Sequence, residues 1–227
     1  EPAAEKRWKQ LGLDRLVSRL VSIENSKDAV VVKTRVGAAS TNAAVDCLWK
    51  WSLTTEGLSL ELTVEPIGSW PKEWSSHWAR VGIEFTVSAG EETQVSWFGK
   101  GPGQSYPDTG QGTSWGWFTA SIDELQERTV RPQESSRRAN VLAAQIGSQL
   151  SASSEEGVGI TIRPWSTATV AKVTHDHLLP TTNQANVVFD FACSGVGTAA
   201  CGPGVLPAYR LPAKTVQGRI TFTSPEA

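Results

Sequence analysis

The chain has no methionine among its 227 residues, no Asn-x-Ser/Thr sequon, only three cysteines, and no run of like charge longer than a few residues. Each shortage closes off a reading. A sequence without methionine that opens on Glu1 is expected to be a mature product, a proteolytic fragment or an excised segment whose start was elsewhere. The missing sequon removes one sign of a secreted glycoprotein. Cys47, Cys193 and Cys201 are odd in number, so they do not all pair within the chain, and none of their spacings is that of a metal site. No metal and no other cofactor is expected. A Cys193–Cys201 disulfide across a glycine-rich loop, in an oxidising compartment, and a pair of reduced thiols are both compatible with the sequence.

Charge is nearly balanced, with 21 Lys and Arg against 23 Asp and Glu. Phosphate binding needs clustered cations, so a nucleic-acid partner is not expected. Arg137-Arg138 is the one basic doublet of note and reads as a solvated turn. The longest apolar runs, such as Ala29 to Val32, fall far short of the roughly 20 residues that cross a bilayer, so no membrane partner is expected. Helix signals are scarce too: Ala3 to Leu11 reads as a short opening helix and Ser121 to Gln126 as a single turn. Without long amphipathic helices between strands, a parallel α/β sheet is excluded.

Strands dominate what is present. Period-2 alternation marks Val30 to Val36, Leu48 to Leu53, Leu58 to Val64, Val81 to Val87 and Val95 to Phe98, then Val158 to Ile162, Ala168 to Val173, Asn186 to Phe191 and Arg219 to Phe222. In Leu58 to Val64 the apolar side chains all fall on one face, which leaves Ser59, Glu61 and Thr63 for water. The expectation is all-β: a large antiparallel β-sandwich, residues 1–227 forming one domain. Two segments are too rich in Gly and Pro to hold a ladder, Lys100 to Gly112 and Gly195 to Pro212, and long loops on a rigid scaffold are where binding groups sit.

The first of these loops carries a family likeness. Trp97-Phe98-Gly99-Lys100-Gly101-Pro102-Gly103-Gln104-Ser105-Tyr106-Pro107-Asp108 resembles the W-Y/F-G-R/K-G-P-x-E-x-Y-P-D segment of the small-chain domain that ends the family 2 β-galactosidases. Val130-Arg131-Pro132-Gln133-Glu134 is similar to that family's Y-V-x-P-Q-E, Thr174-His175-Asp176-His177-Leu178 to its H-x-H-L, and Gly195-Val196-Gly197 to its G-x-G. Trp8-Lys9, Gly12 and Asp14 are similar to its opening pattern, so the likeness spans nearly the whole chain.

The resemblance implies a sandwich of the galactose mutarotase-like kind, a supersandwich, at the end of a multidomain enzyme that hydrolyses terminal β-galactosides. In that family the proton donor and nucleophile are two glutamates on a separate barrel, the two-carboxylate chemistry of retaining glycosidases. This chain has no such barrel. It is expected to act as a hydrolase only within a larger chain, with the remaining β-galactosidase domains as partners and a carbohydrate or other small molecule as ligand. The family's small-chain domain lends its neighbour an active-site loop with a sugar-stacking tryptophan, and here Cys201, with no aromatic ring, falls at or beside that position. Ser135-Ser136 likewise replaces the family's Asn-Gly after Pro-Gln-Glu.

The binding candidates on this reading are Tyr106, Asp108, Cys201 and Trp115; Trp115 and Trp117 are placed to share one strand face, and an indole offers a flat apolar ring with an N–H donor to a sugar. Most of the ten tryptophans are expected in the core, with two or three exposed. An alternative is a free-standing mutarotase-like enzyme whose acid/base pair is drawn from Glu134, His175 and His177, the histidines sharing a strand face. A further alternative is a non-catalytic carbohydrate-binding module.

Overall fold

The computed structural model describes residues 4–71, 77–198 and 202–224. In chain order its elements are α1 (Ala4–Gln10), β1 (Val17–Asn25), β2 (Ala29–Gly37), β3 (Ala43–Leu53), β4 (Leu58–Gly68), β5 (His77–Trp78), β6 (Arg80–Val87), β7 (Gln94–Gly101) and β8 (Ser114–Ser121). There follow β9 (Arg138–Ile146), β10 (Leu150–Arg163), α2 (Thr167–Lys172), β11 (Ala185–Cys193), β12 (Leu211–Pro212) and β13 (Val216–Thr223). Every strand pair whose register is defined runs antiparallel, so the expected all-β antiparallel sandwich class holds.

The chain forms two compact units, residues 1–81 with 191–221 and residues 82–190 with 222–227. In the first, β1 to β4 make a meander and β13 lies beside β4. Period 2 sorts its side chains: Leu60, Leu62 and Val64 of β4 are buried and Glu61 and Glu65 face outward, but Ser59, expected to face water, is buried, its hydroxyl accepting from Arg219 Nε at 3.2 Å. On the charged face Arg35 holds Asp46 with two bonds, Nε to Oδ1 at 2.8 Å and Nη2 to Oδ2 at 3.1 Å, and Lys33 approaches at 3.4 Å. These donors, Arg35 first, hold the Asp46 carboxyl below its ordinary value against the opposing effect of burial. A lowered folded-state value makes the contribution complete above the ordinary carboxylate range near pH 4 and lost as pH falls through the lowered value. Asp46→Asn should therefore cost about 0.5–1 kcal/mol at pH 7, since both cations are well exposed, and progressively less as pH falls below about 4, as read by paired melts across pH.

Tryptophans pin the loops of this unit. Trp8 donates Nε1 to the His77 carbonyl at 2.7 Å and meets its ring edge-on at 5.6 Å. Trp70 donates to the Ala44 carbonyl at 3.0 Å and packs against buried Trp78 at 5.3 Å. Trp74 lies outside the described residues.

The second unit has the strand order β6-β11-β10-β9-β7-β8. Its core combines Val95 and Trp97 of β7, Val141 and Ile146 of β9, Ile160 and Ile162 of β10 and Phe189 of β11. Phe85, Phe189 and Phe222 form a mutual ring cluster with centroids 5.8–5.9 Å apart. Of the nine described tryptophans, Trp78, Trp97 and Trp165 are buried, Trp8, Trp49, Trp51 and Trp70 are half-buried, and Trp115 and Trp117 are exposed, so the core takes fewer than half of them.

Three further expectations change. Ala168 to Val173 is the helix α2 and not a strand, because Ser166 Oγ accepts the Thr169 N–H at 3.1 Å and caps a helical turn directly after Pro164-Trp165. His175 immediately precedes the 3-10 turn Asp176–Leu178 and His177 lies inside it, so their nearness comes from that turn and not from a strand face. Arg137-Arg138 is no solvated turn: both side chains are buried, because each finds acceptors inside the fold.

Candidate functional site

The two best-matched sequence segments meet in the second unit. The loop after β7 and the stretch leading into β9 are stitched by backbone and side-chain bonds: Ser105 N–H to the Arg137 carbonyl at 2.7 Å, Ser136 N–H to Gln104 Oε1 at 2.9 Å, and Ala139 N–H to Ser105 Oγ at 2.8 Å. Ser136 takes a φ of 69°, a left-handed conformation uncommon for a residue with a Cβ, and its hydroxyl accepts from the Glu127 N–H at 3.0 Å. The Asn-Gly to Ser-Ser difference noted in the sequence thus falls on a turn that still adopts the backbone a glycine would favour.

Two arginines make this junction rigid. Arg137 donates Nε to Asp190 Oδ2 at 3.1 Å and Nη1 to the Ser105 carbonyl at 3.0 Å, with its guanidinium 5.9 Å from the Tyr106 ring. Arg138 donates to the carbonyls of Pro102, Leu125 and Ser136 at 2.8–3.2 Å and lies 5.7 Å from the Trp97 ring. Burial pulls the Arg138 guanidinium below its ordinary value, while Glu127 and Tyr106 pull the other way.

The candidate chemical group at the junction is Glu134. Buried Tyr106 donates its hydroxyl to Glu134 Oε1 at 2.8 Å, and Arg163 Nη1 stands 3.8 Å from Oε2. Held from both sides, the carboxylate keeps one orientation, and its side chain is still one-third exposed, at 33%. Such a group accepts a hydrogen bond from a ligand hydroxyl or takes a proton from it. The Tyr106 ring is buried, and its hydroxyl goes to Glu134. Asp108 is half-buried on the same loop, one residue before Thr109, whose N–H bonds the Tyr106 carbonyl at 3.2 Å.

Beside this junction is a crevice of about 30 Å³ lined in part by Gln133, Ser135, Arg163, Trp165 and Asp176. That volume holds one or two waters and is too small for a pyranose ring. His175 and His177 are exposed, with rings 5.6 Å apart, and His175 Nδ1 is 3.2 Å from Thr174 Oγ1. Asp176 between them pairs with Arg128 at 3.5 Å and donates its N–H to the Val130 carbonyl at 3.1 Å, so the His-x-His turn and the Pro-Gln-Glu stretch share a wall.

Trp115 and Trp117 stand on one face of β8, 52% and 68% exposed, each against Phe98 of β7 with centroid distances of 6.0 and 5.3 Å. Three rings in a row on an open strand face make a flat apolar shelf. Cys201 lies outside the described residues.

Sequence reasoning did not find Arg137, Arg163 and Asp190 as members of the cluster. The doublet at Arg137-Arg138 was a visible signal, but the buried acceptors that reverse its meaning come from segments tens of residues away.

Over residues 1–223 the chain matches the family described as beta galactosidase small chain. It is 29% identical over 219 residues to a beta-galactosidase of Arthrobacter sp. strain B7, covering 92% of this chain and 21% of that enzyme. Against the beta-galactosidase of Oenococcus oeni the identity is 27% over 217 residues, covering 91% of this chain and 20% of the enzyme. The chain thus spans about a fifth of the length of these relatives. Among solved structures, a galactose mutarotase-like protein from Lactobacillus casei overlaps with a TM-score of 0.43 at 11% identity, covering 88% of this chain and 71% of that one. Given a match that runs from its first residue to within four of its last, the chain belongs to the β-galactosidase small-chain family.

Proposed function

We propose that the chain is the C-terminal β-sandwich segment of a β-galactosidase-type glycoside hydrolase of family 2, and that it lends loops and structural support to a carbohydrate site whose catalytic carboxylates lie elsewhere in the polypeptide. The observation that carries this reading is the proportion of the match: nearly all of this chain against one-fifth of each relative. In it, the Arg137–Asp190 and Tyr106–Glu134 bonds hold the loop bearing Asp108 in one shape, and that loop, the Cys201 segment and Trp115 are the parts offered to the sugar. Glu134 serves as an acceptor for a sugar hydroxyl, with His175 and His177 nearby as polar neighbours.

Antibody raised against the chain and used on its native source tests this. The expected band is about five times the length of this chain, following the one-fifth coverage, and it should co-purify with hydrolysis of a nitrophenyl β-galactoside. The 227-residue chain alone should show no hydrolysis, because on this reading the two catalytic carboxylates lie in the rest of the polypeptide. A native species of this chain's own length that interconverts sugar anomers, with the rate abolished by Glu134→Gln, would replace this reading with the free-standing mutarotase-like one.

A further inference from the structure

The β1–β4 meander has two faces of opposite character. One is charged, with Arg35 on Asp46 and Lys50 on Glu61 at 3.2 Å, as a solvated face requires. The other is mostly apolar, with Thr34 inside it and Ser18 and Asn25 at its ends on β1. In one row Leu62, Trp49, Val32 and Ile23 follow each other across β4, β3, β2 and β1. Burial falls steadily along it: Leu62 is 3% exposed, Trp49 and Val32 are half-buried, and Ile23 is 55% exposed. A neighbouring row ends on Leu20, also exposed, and Leu53 opposite Leu58 closes the far end of the face at 78% exposure. The apolar pattern therefore continues beyond the point where the cover stops. β1 is also the last strand of its sheet, with eight of its nine residues exposed, so its outer backbone groups are available as well. Clustered exposed aliphatics on an edge strand are the mark of an interface, since a lone domain gains nothing from them and risks aggregation.

We infer that this face of β1 and β2, with Leu53 at its end, docks against the part of a β-galactosidase polypeptide that this chain does not contain. The inference rests on the proposed function, and the occupant follows from proportion: four-fifths of each relative lies outside the matched segment, which makes a covering surface on the same polypeptide available without a second molecule. The covering surface is apolar and flat enough to meet a sheet, and it carries no charge opposite Leu20 and Ile23.

The test uses the long native product and the 227-residue chain side by side. In the wild type, amides of β1 should exchange with deuterium at least tenfold more slowly in the long product than in the short chain. The double substitution Leu20→Glu/Ile23→Glu should lower the temperature of thermal inactivation of the long enzyme by more than 5 °C, leave the melting of the short chain within about 1 °C, and exceed the effect of Lys50→Ser on the charged face. Equal exchange in both forms overturns the inference even if the double variant fails to fold. So does a short chain that sediments as a dimer and becomes a monomer on the double substitution, which would assign the face to self-association. If no long product exists, the proposed function falls and takes this inference with it; a long active enzyme whose β1 exchanges freely removes the docking face alone.

Discussion

Arg137→Leu should lower the stability of the protein by about 3–5 kcal/mol, a fall in melting temperature on the order of 10 °C. The size follows from what is left behind. The Asp190 side chain is fully buried and its Oδ2 takes the Arg137 Nε–H at 3.1 Å, so the substitution takes a charged donor away from a buried carboxylate. Asp190→Leu should cost a similar amount by stranding the guanidinium. The double variant Arg137→Leu/Asp190→Leu should cost at least about 2 kcal/mol less than the sum of the two, because it removes both charges together. It should not return to the wild-type value, since the bond from Arg137 to the Ser105 carbonyl and the guanidinium over the Tyr106 ring are lost in either background. Denaturant melts of the four proteins give all three differences. A single Arg137 variant within about 1 kcal/mol of wild type would mean that the junction of the two loops is held by something other than this pair.

How much of this was legible follows from where each signal resides. β2, β3, β4, β6, β7, β10, β11 and β13 were readable, because alternation over successive residues is a local property and survives in one dimension. β1 was not, since its register shifts between Leu20 and Ser22 and the extra residue throws Leu20, Val21 and Ile23 out of period 2. β9 was missed for a related reason: Asn140 sits at a φ of 52° inside the strand, and the pairing of β10 with β9 is irregular between Ser153 and Val158. The helix α2 was read as a strand because Ala168-Thr169-Val170 alternates acceptably for either state, and only the Ser166 cap decides between them. At the site, Tyr106 and Glu134 could each be picked out from their motifs, but the bond between them joins positions 28 residues apart. The meaning of Arg137 depended entirely on such distant partners. A basic doublet is a surface feature by default, and it becomes a structural one only where Asp190, 53 residues on, is folded against it.

Trp97→Ala should destabilise the protein by about 3–5 kcal/mol, both by opening the core and by loosening the loop that carries Tyr106 and Asp108. Trp97 is only 2% exposed, and it stands four residues before the end of β7, where the strand gives way to that loop. Three contacts depend on its ring. Nε1 donates to the Lys100 carbonyl at 3.1 Å, Phe118 of β8 packs at 5.4 Å, and the Arg138 guanidinium lies 5.7 Å from the ring centroid. Removing the indole leaves a cavity, and it also takes away the surface on which Arg138 rests while that side chain holds the Pro102 and Ser136 carbonyls. Trp97→Phe keeps most of the volume and loses the N–H donor, so it should cost roughly 1–2 kcal/mol. The two variants separate packing from hydrogen bonding. If the indole supports the loop through Arg138, deuterium exchange at Ser105 and Ala139, whose amides are bonded across the junction, should quicken strongly in Trp97→Ala and little in Trp97→Phe. Exchange that quickens only in β7 and β8 would confine the role of Trp97 to the core and leave the loop to the Arg137–Asp190 pair.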